Sequence, residues 1–525
     1  MKFKIFKNAL KEPTIKPKET LDIGPVPTYS PHQFMTMSNI DFLGRQIHAG
    51  ITRDKTADGG MKFIVIEPAL NKREIIVFEL IKKLLMTELT VSLNEIKNKS
   101  DAERRLKSKI TRLIKEYKMQ IPEKNIDKII YYAIRDFVYL GKIEPLMRDH
   151  MIEEISCDGV GIPLYIWHRE YESVPTNIMF DTPAELDNFA RKLAYISGKH
   201  VSMADPIIDA SLPEGSRINL TLGNEITKNG STFTIRRFRA DPITIIDLIK
   251  FGTVSKEIAA FMWYLVEKRA TMIVSGGTAS GKTTTLNALS SFIVPGQKVV
   301  SIEDTHELNL PHENWIPSVS RQNFTATAKV GEITQFDLLR AALRQRPDII
   351  IVGETRGREA HTLFQAMATG HGGFSSLHAD TIDAALARLT SSPMDVPNAL
   401  ISNSLDVMTL QLKLRMGERS VRRIIRVSEI GEIDERTGNI KTHDVFKWNP
   451  KTDVHEYLGN SLVMEKIKSR YGETDEKIEH ELNKRKTALE WMEKNDMRGH
   501  LQVNAEIKDF YLNSEKYYER KKIAV

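Results

Sequence analysis

The chain has 525 residues, of which 27% are charged and 41% hydrophobic, and its 75 Lys and Arg against 69 Asp and Glu leave a net charge of +6. This is the profile of a soluble globular protein of about three to four domains, and it excludes disorder, collagen and coiled-coil arrays as descriptions of the whole chain. The single cysteine, Cys157, excludes an intrachain disulfide framework and a metal site built from cysteines.

The first 30 residues are rich in lysine and proline, which predicts an extended basic arm over residues 1–30. No apolar run reaches the ~18–20 residues that a membrane span requires, and no apolar segment of signal-peptide length follows the lysines. We therefore expect any action at a membrane to be from outside the bilayer. The basic excess is too diffuse to indicate a nucleic-acid partner.

Residues 31–144 combine strand signals with a helical pattern. Residues 55–60 contain Asp-Gly and Gly-Gly and predict a turn between two strands. From residue 75 to about residue 140 the periodicity is helical, and residues 100–103 predict a capping box. The apolar face of that helix is formed by Ala102, Leu106, Ile110 and Leu113.

Residues 145–238 mix predicted strands, at 164–168 and 232–238, with a predicted helix at 184–195. This mixture indicates an α+β domain. A linker is predicted at 239–250, since Pro242 disfavours helix at the residue before it.

Apolar strands alternate with helices from residue 251 to residue 430, which predicts a parallel α/β sheet. The C-terminal region, 431–525, is predicted to be largely helical. Thr474, followed by two acidic residues, is a helix-start signal within it.

A phosphate-binding loop follows the short apolar strand at 271–274. The loop reads GxxxxGK[ST] and leads into a helical stretch, which is the strand–loop–helix context that the motif requires. Its glycines allow backbone N–H groups to surround phosphates, Lys282 is predicted to reach the β- and γ-phosphates of ATP, and Thr283 to bind Mg²⁺. The predicted nucleotide-binding residues are Gly276, Gly277, Thr278, Ala279, Ser280, Gly281, Lys282, Thr283 and Thr284.

Carboxylates follow two further predicted strands. The strand at 299–302 leads to Glu303, and the strand at 349–352 leads to Glu354. Because ligands of open α/β sheets lie beyond the carboxyl ends of the strands, both side chains are expected near the nucleotide. We assign Glu354 to Mg²⁺ and its water shell and favour Glu303 as the general base, although the sequence fixes no distances and the two roles could be exchanged.

Two histidines flank the predicted strand at 374–377. His378 at its end could hydrogen-bond the γ-phosphate, and His371 precedes it. Phosphoryl transfer gains from an arginine supplied across an interface, and Arg217 and Arg236 in the preceding domain could supply one.

Taken together, these segments resemble the secretion ATPase superfamily of type II and type IV systems, which includes pilus-assembly and archaellum motors. Besides the Walker A loop, residues 301–308 resemble its Asp box, 343–356 its atypical Walker B motif and 369–379 its His box. Upstream, residues 135–156 and 211–217 are similar to the archaeal branch. The resemblance covers about residues 40–430.

This resemblance implies a RecA-like P-loop NTPase domain, preceded by α+β N-terminal domains (the second PAS-like) and followed by a helical tail. It also implies a cytoplasmic homohexamer that hydrolyses ATP with Mg²⁺ at subunit interfaces and docks on a polytopic inner-membrane platform protein. In the same way, Arg217 and Arg236 match interface arginines of the family. The basic arms of such a ring could contact an anionic membrane surface.

Three other functions fit the sequence less well. A nucleic-acid translocase requires a basic stripe with stacking aromatics, but charges alternate here, only 7% of residues are aromatic, and no nucleic acid is expected. A small-molecule kinase requires an acceptor pocket and a lid. A nucleotide-gated scaffold is disfavoured by Lys282 together with Glu303. The sequence leaves open whether a pilus, an archaellum or a secretion system is driven.

Overall fold

A computed structural model describes residues 34–88, 98–119, 121–238, 241–321, 332–417 and 419–521. The predicted basic arm and residues 239–240 of the predicted linker lie outside these ranges. The chain divides into two compact units, each described separately below. The first comprises residues 1–152, 157–166 and 173–186, and the second 153–156, 167–172 and everything from residue 187 onward. Across the described ranges, none of the helices has the length and apolar character of a membrane span.

The first unit begins with an antiparallel three-stranded meander, and the turn predicted at 55–60 connects its second and third strands. The third strand then pairs in parallel with the sixth. The first six strands of the chain are β1 (Phe34–Phe42), β2 (Arg45–Arg53), β3 (Met61–Ile66), β4 (Ile152–Cys157), β5 (Pro163–His168) and β6 (Glu172–Met179).

Helices of the first unit pack around a shared apolar core that includes Ile81, Ile110 and Ile129. They are α1 (Lys72–Glu88), α2 (Lys99–Glu116) and α3 (Glu123–Phe137), and a further short helix, α4 (Glu144–Arg148), follows them in the chain. The face predicted for α2 is buried. The capping box predicted at residues 100–103 is wrong, because the N-cap of α2 lies two residues earlier, at Asn98, whose side chain accepts a hydrogen bond from the backbone N–H of Ser100.

The helix predicted at 184–195 is α5 (Pro183–Ile196), which begins in the first unit and ends in the second. The second unit then forms an antiparallel sheet from β7 (Ile207–Ser211), β8 (Arg217–Thr221) and β9 (Thr232–Arg236). Strand β9 ends at Arg236 rather than at residue 238 as predicted.

The large sheet of the second unit confirms the predicted parallel α/β arrangement. Its order is β12-β11-β13-β14-β10-β15-β16-β17-β18, with parallel pairing as far as β15 and antiparallel pairing beyond it. The strands are β10 (Met272–Ser275), β11 (Val299–Glu303), β12 (Trp315–Val319), β13 (Ile349–Val352), β14 (Gly372–Leu377), β15 (Val407–Met416), β16 (Arg419–Ile433), β17 (Ile440–Asn449) and β18 (Val454–Tyr457).

Strands β10, β11, β13 and β14 are buried at every residue, as expected for parallel strands covered on both faces. The helices around the sheet are α6 (Ile245–Lys250), α7 (Lys256–Glu267), α8 (Lys282–Ser290), α9 (Gln335–Ala342), α10 (Glu359–Ala368), α11 (Ile382–Thr390) and α12 (Asn398–Ser404). Residue 430, where the sequence suggests a domain boundary, lies inside β16, and two more strands of the same sheet follow.

The C-terminal helices pack into the core of the same unit. They are α13 (Leu462–Tyr471), α14 (Asp475–Lys494), α15 (His500–Leu512) and α16 (Ser514–Lys521), and α14 has the predicted N-cap, Thr474. The guanidinium of Arg485 on α14 is buried between the carboxylates of Glu267 and Glu481. Trp263 of α7 and Phe510 of α15 stack against the same arginine.

Candidate nucleotide-binding site

The loop between β10 and α8 has the backbone shape of an anion cradle. Ala279 and Gly281 both adopt left-handed conformations, with φ of 57° and 92°. The backbone N–H groups of Thr278 and Ala279 have no hydrogen-bond partner in the described part of the chain. Free N–H groups beside a helix N-terminus fit phosphate oxygens, so the loop fits a nucleotide.

Two loop positions require glycine because other groups approach the backbone closely. A Cβ at Gly276 would lie 2.1 Å from the carbonyl oxygen of Gln411 on β15. A Cβ at Gly277 would lie 2.7 Å from a carboxylate oxygen of Asp380. The cradle is therefore packed against neighbouring strands and loops and leaves no space for side chains at these two residues.

Lys282 is buried at the first turn of α8 and folds back over the loop. Its Nζ donates to the carbonyl oxygens of Gly276, at 3.0 Å, and Gly277, at 2.8 Å, and lies 3.4 Å from His378 Nδ1. Burial lowers the pKa of Lys282, and the negative charge of Glu354 opposes this effect. An ammonium group held over the cradle in this way can bind phosphate oxygens without a large movement.

Glu354 follows β13, and its carboxylate has two side-chain neighbours. Arg356 Nη2 donates to its Oε2 at 2.7 Å, and His378 Nε2 lies 3.4 Å from its Oε1. Burial raises the pKa of Glu354, but the hydrogen bond and charge of Arg356 outweigh it, so the pKa is lowered and the carboxylate stays ionised.

Thr283 and Thr284 lie half-buried in the first turn of α8. Within the described ranges no three His, Cys, Asp or Glu side chains form a cluster that could hold a metal ion. Mg²⁺ commonly takes only one or two protein ligands together with phosphate oxygens and water, so Thr283 and Glu354 suit this ion.

Glu303 is the last residue of β11, next to β13 in the sheet, and only 3% exposed. Its Oε1 accepts hydrogen bonds from the backbone N–H groups of Glu307, at 3.0 Å, and Leu308, at 2.9 Å. Its Oε2 has no hydrogen-bond partner among the described residues and lies 3.5 Å from His306 Nδ1. A buried carboxylate oxygen with unused lone pairs is what a general base requires.

The two predicted histidines lie at opposite ends of β14. His378 follows its carboxyl end and contacts Lys282, and burial together with the charge of Lys282 lowers the pKa of this histidine. His371 precedes the amino end, where its Nδ1 lies 3.1 Å from the carbonyl oxygen of Ala366 in α10. Of the two histidines, His378 therefore lies beside the phosphate-binding loop, whereas His371 contacts helix α10.

Arg217 and Arg236 lie directly opposite each other on β8 and β9. Arg217 forms an ion pair with Asp209 at 2.7 Å and donates to Thr305 Oγ1 at 3.1 Å. Arg236, which is largely exposed, lies 3.3 Å from Glu307. Both arginines thus contact the segment that follows β11 within the same chain.

Comparison with known proteins agrees with this geometry. The family model described as "Type II/IV secretion system protein" matches residues 140–507, about 70% of the chain. The chain belongs to this family. The predicted resemblance to the type II and type IV secretion family and the predicted α/β fold with a P-loop domain are confirmed.

Relatives from archaea and bacteria match this family member over much of their length. An uncharacterized protein of Methanocaldococcus jannaschii is 36% identical over 87% of this chain and 86% of its own. The type IV secretion system protein PtlH of Bordetella pertussis is 31% identical over 55% of this chain and 93% of its own. A solved structure of the Legionella pneumophila ATPase DotB is 17% identical, with a TM-score of 0.42, over 70% of this chain and 90% of that one.

Two residues of the antiparallel strands also hold the phosphate-binding loop of this family member, and sequence analysis missed them. Gln411 on β15 is buried, donates to the carbonyl of Ser280 at 2.8 Å and accepts from Thr285 Oγ1 at 2.7 Å. Arg422 on β16 donates to the carbonyl of Ala279 at 3.2 Å. Gln411 alternates with leucines in a strand that also contains Thr409, Lys413 and Arg415, so no local signal distinguished it.

Proposed function

We propose that this protein is an ATPase that binds ATP with Mg²⁺ and hydrolyses it. The observation that carries the proposal is the placement of Glu303 and Glu354 at the carboxyl ends of the adjacent strands β11 and β13, with Lys282 in contact with His378, which in turn lies beside Glu354. One carboxylate for the metal shell and one buried, partly unpaired carboxylate for water are the two groups that hydrolysis needs.

Each residue of the site has a distinct role in the proposed hydrolysis. The loop N–H groups and Lys282 bind the phosphates, while Thr283 and Glu354 would hold Mg²⁺, which supplies charge neutralisation at the β- and γ-phosphate oxygens. Glu303 accepts the proton of the attacking water at Oε2 while its Oε1 stays fixed by two backbone N–H groups. His378 lies between Lys282 and Glu354, where it could donate to the γ-phosphate.

We further propose that hydrolysis drives the assembly or secretion of type IV pilus-like filaments: a pilus, an archaellum or a type II-like system. The support is membership of the family, together with a relative that is itself a type IV secretion system protein. In this proposal the working form is a homohexamer at the cytoplasmic face of the membrane, docked on a polytopic inner-membrane platform protein. Arg217 or Arg236 would serve the nucleotide of a neighbouring subunit.

Two substitutions test the ATPase. Lys282→Ala should abolish binding of ATP, and Glu303→Gln should retain binding but lose hydrolysis, as measured by fluorescent-nucleotide titration and phosphate release. Lys451→Ala, an exposed lysine in the turn before β18, is the control for loss of a positive charge. Full turnover by the Lys282 variant would refute the assignment, and full turnover by the Glu303 variant would move the base role to Glu354.

Three measurements test the ring, the nucleic-acid alternative and the role of the basic arm. Light scattering with ATP present should detect a hexamer, and a persistent monomer would contradict the ring. Stimulation of hydrolysis by DNA, with the steep salt dependence of phosphate contacts, would favour a nucleic-acid translocase instead. Binding to anionic vesicles that survives deletion of residues 2–18 would remove the proposed role of the basic arm.

A further inference from the structure

Three residues of the segment that follows Glu303 contact one end of the β7–β9 sheet, where β8 begins and β9 ends. Arg217 of β8 donates to Thr305, and Arg236 of β9 pairs with Glu307. Between these two contacts, the ring of Phe238, two residues beyond β9, stacks on His306. The two arginines and the phenylalanine thus meet three successive residues, and each contact lies within the second unit.

The imidazole of His306 stacks against two aromatic rings. Its ring centroid is 5.7 Å from that of Phe238, with the planes 18° apart, and 5.9 Å from that of Trp315, with the planes 22° apart. Trp315 is itself fixed, because its Nε1 donates to Ser301 Oγ on β11 at 2.9 Å. Stacking against these two rings restricts the rotation of the imidazole and so helps to fix the positions of its nitrogen atoms.

The imidazole is held with Nδ1 toward the carboxylate of Glu303. Nδ1 lies 3.5 Å from Oε2, the oxygen that takes no hydrogen bond elsewhere in the described chain. The adjacent carboxylate of Glu303 raises the pKa of His306 against the opposing effect of partial burial, which favours the imidazolium form. Backbone N–H groups fix Oε1, and His306 is the side chain that faces the other oxygen, Oε2.

We propose that His306 is a positioning residue that holds the Glu303 carboxylate for hydrolysis, and that Phe238 couples the position of His306 to the β7–β9 sheet. The inference rests on the proposed ATPase function and adds a control point to it. A displacement of the β7–β9 sheet would change the stacking on His306 before it changed the phosphate-binding loop. Hydrolysis, but not ATP binding, would then depend on the position of that sheet.

Two substitutions distinguish the contribution of the aromatic ring of His306 from that of its Nδ1 atom. His306→Phe keeps a flat ring between Phe238 and Trp315 but removes Nδ1, whereas His306→Asn places an amide nitrogen close to the position of Nδ1 and loses the ring. We expect the Phe variant to lower kcat for ATP by about tenfold, with KM and nucleotide affinity unchanged within about twofold, since general-base contributions are of this size or larger. The Asn variant should recover part of that loss.

Phe238→Leu tests the coupling, and Tyr457→Leu is its matched control, since it removes a ring that packs on Phe446 far along the sheet at β18. The Phe238 variant should lower kcat about threefold to tenfold with nucleotide affinity retained, and the Tyr457 variant should leave both unchanged. Retained nucleotide affinity and a normal thermal midpoint show that each variant is folded.

The outcomes separate the two proposals. A wild-type protein that binds ATP but releases no phosphate overturns the ATPase and this inference with it. A wild-type protein that hydrolyses ATP, together with a His306→Phe variant of equal kcat, overturns the positioning role alone. Equal losses of kcat and nucleotide affinity in the Phe variant also overturn it, since they would indicate a general structural defect.

Discussion

Gln411 donates its side-chain amide to the carbonyl of Ser280 and thereby fastens the phosphate-binding loop to strand β15. The same side chain accepts from Thr285 Oγ1 in α8, so one glutamine joins the loop to the helix that follows it. The shape of the cradle therefore depends on a residue more than 120 positions downstream. Gln411 is 1% exposed, which leaves no room for water to replace it.

We expect Gln411→Leu to destabilise the protein by about 1–3 kcal/mol, because it leaves the Ser280 carbonyl and the Thr285 hydroxyl without partners in a buried place. Nucleotide affinity should fall as well, since the loop loses its attachment. Chemical denaturation and nucleotide titration measure the two effects. Gln411→Glu, which can still accept from Thr285, should retain part of the stability; an unchanged Leu variant would contradict the role.

Gly276→Ala should distort the loop, because the new Cβ would overlap the carbonyl oxygen of Gln411, which belongs to the backbone and cannot turn away. Overpacking of this kind typically costs about 1–3 kcal/mol. Gly499→Ala is the control, because its Cβ would meet atoms no closer than 3.8 Å. Thermal melts and ATP titration should separate the two variants, and equal behaviour would show that the close approach is unimportant.

Arg485→Ala should be among the most damaging substitutions outside the nucleotide site. It removes a buried guanidinium from two carboxylates and from the rings around it, a loss that typically costs about 3–5 kcal/mol. Lys486→Ala, the next residue on α14, breaks an ion pair with Glu257 at the surface and should cost less than about 1 kcal/mol. Denaturation followed by tryptophan fluorescence can compare them; similar losses would argue against the buried pair.

Stability should depend on acid pH through Asp453, which takes two hydrogen bonds from Arg423, at 2.8 and 2.9 Å. The Arg423 hydrogen bond lowers the pKa of Asp453 to about 2, below its ordinary value of 3.8, so the stabilisation is present above pH 3.8 and is lost as the pH falls toward 2. Asp453→Asn should therefore be less stable than wild type at neutral pH.

The difference between wild type and the Asp453 variant should shrink as the pH is lowered from 5 to below 3.8, as measured by denaturant midpoints at each pH. Glu435→Gln, an exposed carboxyl in the turn after β16, is the control for loss of a surface charge. If the difference in stability between wild type and Asp453→Asn stays constant down to the lowest measurable pH, the ion pair with Arg423 is not its source.

Much of the α/β sheet could be predicted because its signals are local. Apolar strands such as 349–352 end at polar residues, and the glycine pattern with Lys282 marks the turn into α8. Since parallel strands share one carboxyl edge, Glu303 and Glu354 could be expected at that edge, and the structure has them at the ends of adjacent strands.

What the sequence did not reveal depends on contacts between distant positions. Gln411 with Ser280, and Phe238 with His306, pair residues with no local pattern that relates them. The different surroundings of His371 and His378 have a similar cause, because the six-residue strand β14 separates them and no local pattern shows what packs at each of its ends.

The C-terminal helices have a practical consequence for anyone dividing this protein into fragments. Helix α7 immediately precedes the strand of the phosphate-binding loop. Its Trp263 is fully buried, and Arg485 and Phe510 of the C-terminal helices form part of its cover. A fragment that stops after β18 would present this apolar surface to solvent and would be expected to aggregate. The smallest fragment fit for enzymology therefore extends through residue 521.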